Sequence, residues 1–343
     1  MAKELIIAGV EIKPGEEKRI EMPSVHLYTD TPMPIPVFVK RGKKDGPILL
    51  VSAAVHGDEL NGIEIISRLI NSPSIKNLKG TLIAVPIVNV YGVLSQSRYM
   101  PDRRDLNRSF PGSSRGSLAG RIAKIFLNEI VTKCDYGIDL HTGAIHRSNL
   151  PQIRADLSNE TTKAMAYAFG VPVLLNADIR DGSLRESAAS AGVNMLLYEA
   201  GEALRFDELS IRAGVKGIIN VMRHLDMLRK TRSKKPLVEP FVAHNSTWVR
   251  ATDSGVVSHK KSLGDYVEEK DELAVISDPY GKTLDVVKSP VEGIIIGKQN
   301  IPLVQEGEAM YHIAFFKQHD GVLENLGILQ DNLTVTIDDN NGF

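Results

Sequence analysis

The chain is 343 residues long, 43% hydrophobic and 24% charged, with a formal net charge of -1 and a single cysteine, Cys134. That is the balance of a soluble globular protein, on a length that suggests two domains of roughly 150 residues each. The charge balance excludes a global field that would draw nucleic acid or an anionic membrane. One cysteine excludes an internal disulfide and fits a reducing, cytoplasmic compartment, with a buried inert thiol as its default role. The start, Met1 to Leu5, carries no long apolar h-region, so no signal peptide is expected. No apolar run approaches the roughly 20 residues needed to cross a bilayer.

Residues 1–45 read as β structure around loops, with strand-like runs at Leu5 to Ile12 and Ile35 to Lys40 and punctuation at Pro14, Gly15 and Gly42. Ile48 to Val55 is an unbroken apolar run, as in a fully buried strand of a parallel sheet. The period then changes, and Leu60, Ile63, Ile66 and Ile70 fall on one helical stripe until Asn71-Ser72-Pro73 stops the helix. Thr81 to Val88 is a second strand, and the strand, helix, strand order predicts a right-handed parallel crossover. Residues 89–118 form a polar loop rich in Arg, Ser and Gly, of a length that is usually functional or disordered. A helix over Ala119 to Val131, a short strand Tyr136 to Leu140, a helix Thr161 to Phe169 and an extended stretch Val171 to Leu175 follow. Val193 to Tyr198 is another strand, and Asp207 to Arg229 a long helix.

Lys230 to Pro236 is polar, basic and broken by proline, and reads as a linker; a solvated helix end fits the same residues. The expected boundary divides a catalytic α/β domain over residues 1–232 from a β-rich domain over residues 233–343. In the latter, Gly255-Val256-Val257, Gly264 to Val267 and Leu273 to Ile276 are echoed by Gly293-Ile294-Ile295, Pro302-Leu303-Val304 and Met310 to Ile313. Two such units closing on each other make a small sandwich or flattened barrel. The tail, Asp338 to Gly342, is polar and expected to fray. The fold class is therefore α/β, a mixed sheet flanked by helices, with a smaller all-β, barrel-sandwich-like C-terminal domain.

Three of the predicted strands end in a reactive residue. His56 and Glu59 follow the first, with Gly57 between them, and an imidazole and a carboxylate at this spacing can converge on one cation. The plain alternative is that Glu59 caps the helix and His56 is a loop histidine. His141 ends the second strand, and two histidines, one carboxylate and a water complete a tetrahedral catalytic zinc site. Glu199 ends the third and is the natural candidate to take a proton from that water, against a capping or salt-bridged role. The polar loop supplies four arginines, Arg98, Arg103, Arg104 and Arg108, a residue type that binds carboxylates bidentately and stabilises oxyanions. Aromatic residues are too sparse around them for a nucleic-acid surface.

Four motifs stand in order: His56-Gly57-Asp58-Glu59 after a strand, Asp105-Leu106-Asn107-Arg108-Ser109-Phe110-Pro111-Gly112, Asp139-Leu140-His141-Thr142-Gly143, and Glu199-Ala200-Gly201. Together they resemble the succinylglutamate desuccinylase/aspartoacylase family of the zinc carboxypeptidase-like group, over roughly residues 45–230, and the β tail resembles that family's C-terminal domain. The resemblance implies a carboxypeptidase-like fold and one zinc ion per subunit, held by His56, Glu59 and His141, with Glu199 as general base. It implies that Asn107 and Arg108, with Arg104 beside them, hold the substrate carboxylate, and that an arginine before the Asn-Arg pair polarises the scissile carbonyl. Arg98 has the spacing for that role, and Arg103 and Arg104 compete for it. The implied reaction is hydrolysis of a small N-acyl amino acid, with a short acyl group suggested by similarity to deacetylases of acetylated diamino acids. No nucleic-acid or membrane partner is implied, and a homo-oligomer is compatible with the sequence.

Other signals carry less. Gly112-Ser113-Ser114-Arg115-Gly116 matches a nucleophile elbow, but no strand precedes it. His146 could replace His141 as a ligand, yet it lies beyond the strand end and reads as a surface histidine. Lys282 sits near the place of a carrier-domain lysine without the surrounding motif. His224, His244, His259, His312 and His319 show no ligand spacing and read as structural or exposed. The competing functions are a carboxypeptidase trimming short peptides and a non-catalytic binding protein with a vestigial site. The C-terminal domain is expected to form a wall or lid over the site.

Overall fold

The computed structural model describes residues 4–26, 29–176, 181–230 and 240–315. Its centre is four parallel strands in the order Asn194–Glu202, Tyr136–Gly143, Lys44–Ala53, Lys79–Val85. The apolar runs read from the sequence are these strands, buried because helices cover both faces. On one face, Asn61–Ile70, Glu160–Phe169 and Glu208–His224 pack over Leu49, Val51, Leu140 and Tyr198. On the other, Leu118–Glu129 and Leu184–Ser190 pack over Leu50, Ile83 and Val85 with the N-terminal strands. The expected crossover is present, since Lys44–Ala53 and Lys79–Val85 pair in parallel with the helix Asn61–Ile70 between them.

The helix after the first strand buries a face rotated from the expected stripe. Ile65, Ile66 and Leu69 are buried, with Asn61 and Gly62. The cause is a close approach: a Cβ on Gly62 would lie 2.5 Å from the Ala53 Cβ, so the helix can sit this near the sheet only with glycine there. Several elements fall outside the sequence reading. Glu17–His26 pairs with Pro32–Arg41, Arg147–Ala155 pairs antiparallel with Asn194–Glu202, and Leu184–Ser190 is helical. Leu5 to Ile12 is not one strand but the short pairs Ile6–Ile7 and Val10–Glu11, separated by Ala8 and Gly9 at positive φ. The long polar loop is ordered by the helix Val90–Leu94 and the 3-10 turn Leu106–Arg108.

The repeat in the C-terminal region folds by exchange. The first unit is Gly255–His259, Tyr266–Val267 and Glu272–Ser277; the second is Gly293–Gln299, Leu303–Val304 and Ala309–Phe315. The short strand of each unit pairs with the first strand of the other, Tyr266–Val267 with Gly293–Gln299 and Leu303–Val304 with Gly255–His259. Val257, Ile276, Ile295 and Ile313 meet between them in one core. The region is all-β yet continuous with the large sheet, because Gly293–Gln299 pairs with Arg147–Ala155. The boundary expected between residues 232 and 233, most of the linker, His319 and the C-terminal tail lie outside the described residues.

Candidate active site

The three strand ends expected to carry chemistry are neighbours in the sheet. Ala53 pairs with Leu140, and His141 pairs with Glu199 in the adjacent parallel strand. After Ala53 the chain turns sharply through Ala54, at φ 50°. Val88 and Asn89 donate backbone N–H groups to Ala53 and Ala54 and pin the turn to the next strand. Gly57 is required here for space: a Cβ would lie 1.9 Å from the backbone of Gly92. The turn aims His56 and Glu59 back toward His141.

His56, Glu59 and His141 are buried, and one ligand atom from each lies within 4.8 Å of the others. The Glu59 carboxylate sits between the two imidazoles, 2.7 Å from His56 Nδ1 and 2.8 Å from His141 Nδ1. Thr142 donates its backbone N–H to Glu59 at 3.0 Å. Glu59 does not cap its helix, whose start has no side-chain cap. Each imidazole is backed by a second carboxylate: His56 Nε2 lies 3.1 Å from Asp105, and His141 Nε2 lies 2.7 Å from Asp139, which accepts a hydrogen bond from Ser52. Burial opposes charge on both rings, but Glu59 with Asp105, and Asp139 with Glu59, outweigh it and push both imidazoles up. Burial likewise opposes charge on Glu59, and the two histidines overcome it and hold the carboxyl well below its usual range.

That charge pattern fits a divalent cation. Two imidazole nitrogens and a carboxylate oxygen, all buried and within 4.8 Å of one another, are a donor set such a cation takes. With the Nδ1 atoms turned inward, the Nε2–H groups are left to donate to Asp105 and Asp139, the outer-shell arrangement that orients metal-binding histidines. The residues present therefore fit a zinc-type ligand set of two nitrogens and one carboxylate.

These groups open into a cavity of about 660 Å³. Glu199 lines it, partly exposed, with its Oε2 accepting from Asn149 Nδ2 at 2.5 Å and its Oε1 3.5 Å from Arg154 Nε. Arg98 lines it as well, donating to Glu59 at 3.3 Å and Asp105 at 2.9 Å. Asn107 is buried and accepts from the Leu184 N–H at 2.9 Å, and Arg108 stands exposed at the lining. Arg104 is exposed and does not line the cavity. Arg103 is exposed too, at φ 62°, which leaves Arg98 as the member of the competing trio at the cavity. His146 is exposed, and Cys134 is buried with its thiol pushed up by desolvation.

The sequence reading assigned no role to Asp105 or Asp139, although both stand inside the motifs it singled out. It missed Asn149 and Arg154 because their strand is polar and carries Pro151. It also left unnamed the residues of the expected wall, which are His244, Asn245, Ser246 and Trp248.

A profile of the succinylglutamate desuccinylase/aspartoacylase catalytic domain matches residues 45–225, more than half of the chain. The chain belongs to this family. It is 27% identical, over 85% of its own length and 87% of the relative's, to N-alpha-acetyl-L-2,4-diaminobutyric acid deacetylase of Halomonas elongata. In fold, it is similar to the product-bound ectoine utilization protein EutE (DoeB) of Ruegeria pomeroyi, at 23% identity and a TM-score of 0.79 over 92% of this chain and 98% of that one. The succinylglutamate desuccinylase/aspartoacylase of Rhodobacter sphaeroides gives 24% identity and a TM-score of 0.76 over 88% of this chain and 97% of the other. The matched span contains all four motifs, and the sheet explains why they converge on one cavity.

Proposed function

We propose that this chain is a zinc-dependent hydrolase that cleaves the amide bond of a small N-acyl amino acid, on a carboxypeptidase-like frame with one metal ion per subunit. The observation that carries the reading is the convergence of His56, Glu59 and His141 at the floor of an arginine-lined cavity that also holds the Glu199 carboxylate. The deacetylase activity named for the Halomonas relative supports a short acyl group.

Held by His56, Glu59 and His141, the metal supplies Lewis acidity to the scissile carbonyl and a lowered pKa to the attacking water. Asn107 and Arg108 bind the substrate carboxylate, a role that suits a guanidinium at the cavity lining. Arg98, fixed by Glu59 and Asp105, faces the carbonyl oxygen and stabilises the negative charge that develops there. Glu199 takes a proton from the water as its oxygen bonds to the carbonyl carbon. It then delivers that proton to the amide nitrogen as the C–N bond breaks, which leaves an amine and a carboxylic acid, whose remaining proton passes to the amine to give a carboxylate and an ammonium. Asp105 and Asp139 keep the two imidazoles in the orientation that presents Nδ1 inward.

The test is a metal analysis of the purified protein together with a screen of N-acyl amino acids beside short peptides. Hydrolysis of N-acyl amino acids with about one zinc per chain is expected. Cleavage of the peptides alone would instead make the chain a carboxypeptidase. Glu199→Gln should keep the metal and lose about 10²- to 10⁴-fold in turnover; near wild-type turnover removes Glu199 from the proton transfer.

A further inference from the structure

We infer that a β-bulge at Leu150 and Pro151 turns Asn149 onto the Glu199 carboxylate, and that Asn149 is a positioning residue for this base, with Arg154 as its second restraint. The inference rests on the reading of Glu199 as the base.

The pairing of Arg147–Ala155 with Asn194–Glu202 is regular from Leu197, opposite Arg154, to Glu199, opposite Gln152. Then Gly201 stands opposite Asn149, so two residues, Leu150 and Pro151, face the single Ala200. In a regular strand, Asn149 and Arg154 differ by an odd number of positions and would point to opposite faces. The extra residue reverses the alternation, and re-aiming a side chain beside a site is what such bulges do. Pro151 suits the place, since a proline has no N–H to lose from the ladder and is found at bulges.

The consequence is that both oxygens of Glu199 meet side chains of the same strand, Oε2 through a hydrogen bond from Asn149 Nδ2 at 2.5 Å and Oε1 through an ion pair with Arg154, whose Nε lies 3.5 Å away without hydrogen-bonding. Asn149 itself is buried and its backbone is fixed from the far side, where it pairs with Gly297. A Cβ on Gly297 would lie 3.1 Å from Asn149 Oδ1, so the glycine there leaves room for the amide in this rotamer. Glu199 has a flexible three-torsion side chain on a strand paired on both sides, so its backbone is fixed and its carboxylate is not. A base must keep its oxygen within hydrogen-bond reach of the water, and misplacement by about 1 Å can cost about 100-fold. One donor on Oε2 and one cation near Oε1 leave lone pairs of the carboxylate available toward the cavity.

The experiment compares Asn149→Ala, Asn149→Ser and Arg154→Met with the wild type for kcat, KM and bound metal, and repeats Asn149→Ala in a Glu199→Gln background. Expected is a fall in kcat of about 10- to 100-fold for Asn149→Ala, with KM within about twofold and metal unchanged. Asn149→Ser, which keeps a small donor, should recover part of the loss, and Arg154→Met should lower kcat less than Asn149→Ala. In the Glu199→Gln background Asn149→Ala should change kcat by less than twofold, because there is no base left to position. Should Asn149→Ala not fold, Asn149→Ser and Arg154→Met decide by the same criteria. An effect confined to KM or metal content, a kcat within threefold of wild type, or a full additive loss in the double variant overturns the inference. If Glu199→Gln is itself active, the base assignment has failed; if Glu199→Gln is dead and Asn149→Ala is normal, only the positioning role has failed.

Discussion

His56 and His141 lean on carboxylates, whereas two histidines of the β region, the half-buried His259 and the buried His312, meet hydroxyls. His141 is flanked by Glu59 and Asp139, and His56 by Glu59 and Asp105. His312 Nε2 meets Ser246 Oγ at 2.8 Å, and its ring stacks on Trp248 at 4.3 Å and 7°. Tyr311 donates its hydroxyl proton to the Leu273 carbonyl, so its oxygen accepts from His259 Nδ1. The His259 Nε2 is buried and finds no partner among the described residues. Burial, with the charge of Lys298, pushes His259 down to about 4. The same residue type thus stands among buried carboxylates in one region and against hydroxyls and an aromatic ring in the other. The partner, not the imidazole, makes the difference.

Four substitutions sharpen or break this contrast. The largest effect is expected at His141→Ala, which removes a ligand from the cluster. Bound zinc measured after dialysis should fall well below one per chain, and turnover by about three orders of magnitude or more. His312→Ala, by contrast, should leave zinc content unchanged. Asp139→Asn comes next. It keeps the shape and the Ser52 contact but drops the charge behind His141, and a loss of about 10- to 100-fold in metal affinity or activity is expected. Metal affinity within twofold of wild type would mean that the carboxylate backing is not what sets His141 apart.

The smallest effect concerns His259. Its folded value of about 4 lies below the roughly 6.5 of an unfolded histidine. The unfolded chain therefore takes up a proton first as pH falls. Stability tied to this group is complete above about pH 6.5 and is lost as pH drops toward 4. The ring is about half exposed, so the loss, discounted for solvent screening, is on the order of 1 kcal/mol. Urea midpoints measured between pH 7 and 4.5 should fall less steeply for His259→Leu than for the wild type; equal slopes would remove His259 from the acid response.

Much of the fold was legible because its strands are apolar and its helices periodic. The elements missed share a cause. Arg147–Ala155 carries Asn149, Gln152 and Arg154 among its apolar residues, and Pro151 argues against a strand until the bulge is seen. Leu184–Ser190 is short and rich in small residues. Glu17–His26 alternates, but its outward residues are charged enough to read as loop. In the site, His56, Glu59, His141 and Glu199 were legible because each follows an apolar run, although His141 and Glu199 lie inside strands that continue to Gly143 and Glu202. Asp105 and Asp139 were visible but carried no assignment, since only a contact distance shows which carboxylate backs which ring. Arg104 illustrates the converse: it lies four residues from Arg108, yet only Arg108 lines the cavity.

The sequence by itself determined the parallel strands, the order of the four motifs and the residue types able to hold a divalent cation, because periodicity and local spacing follow from backbone geometry. The tertiary structure alone decided which side chains meet. Neighbouring strands set His141 beside Glu199, a bulge brought Asn149 to the same face, and pairing across the large sheet put Trp248 and Ser246 at the cavity wall. Contacts of that kind depend on register between distant segments, and a one-residue shift in register reverses which face a side chain occupies.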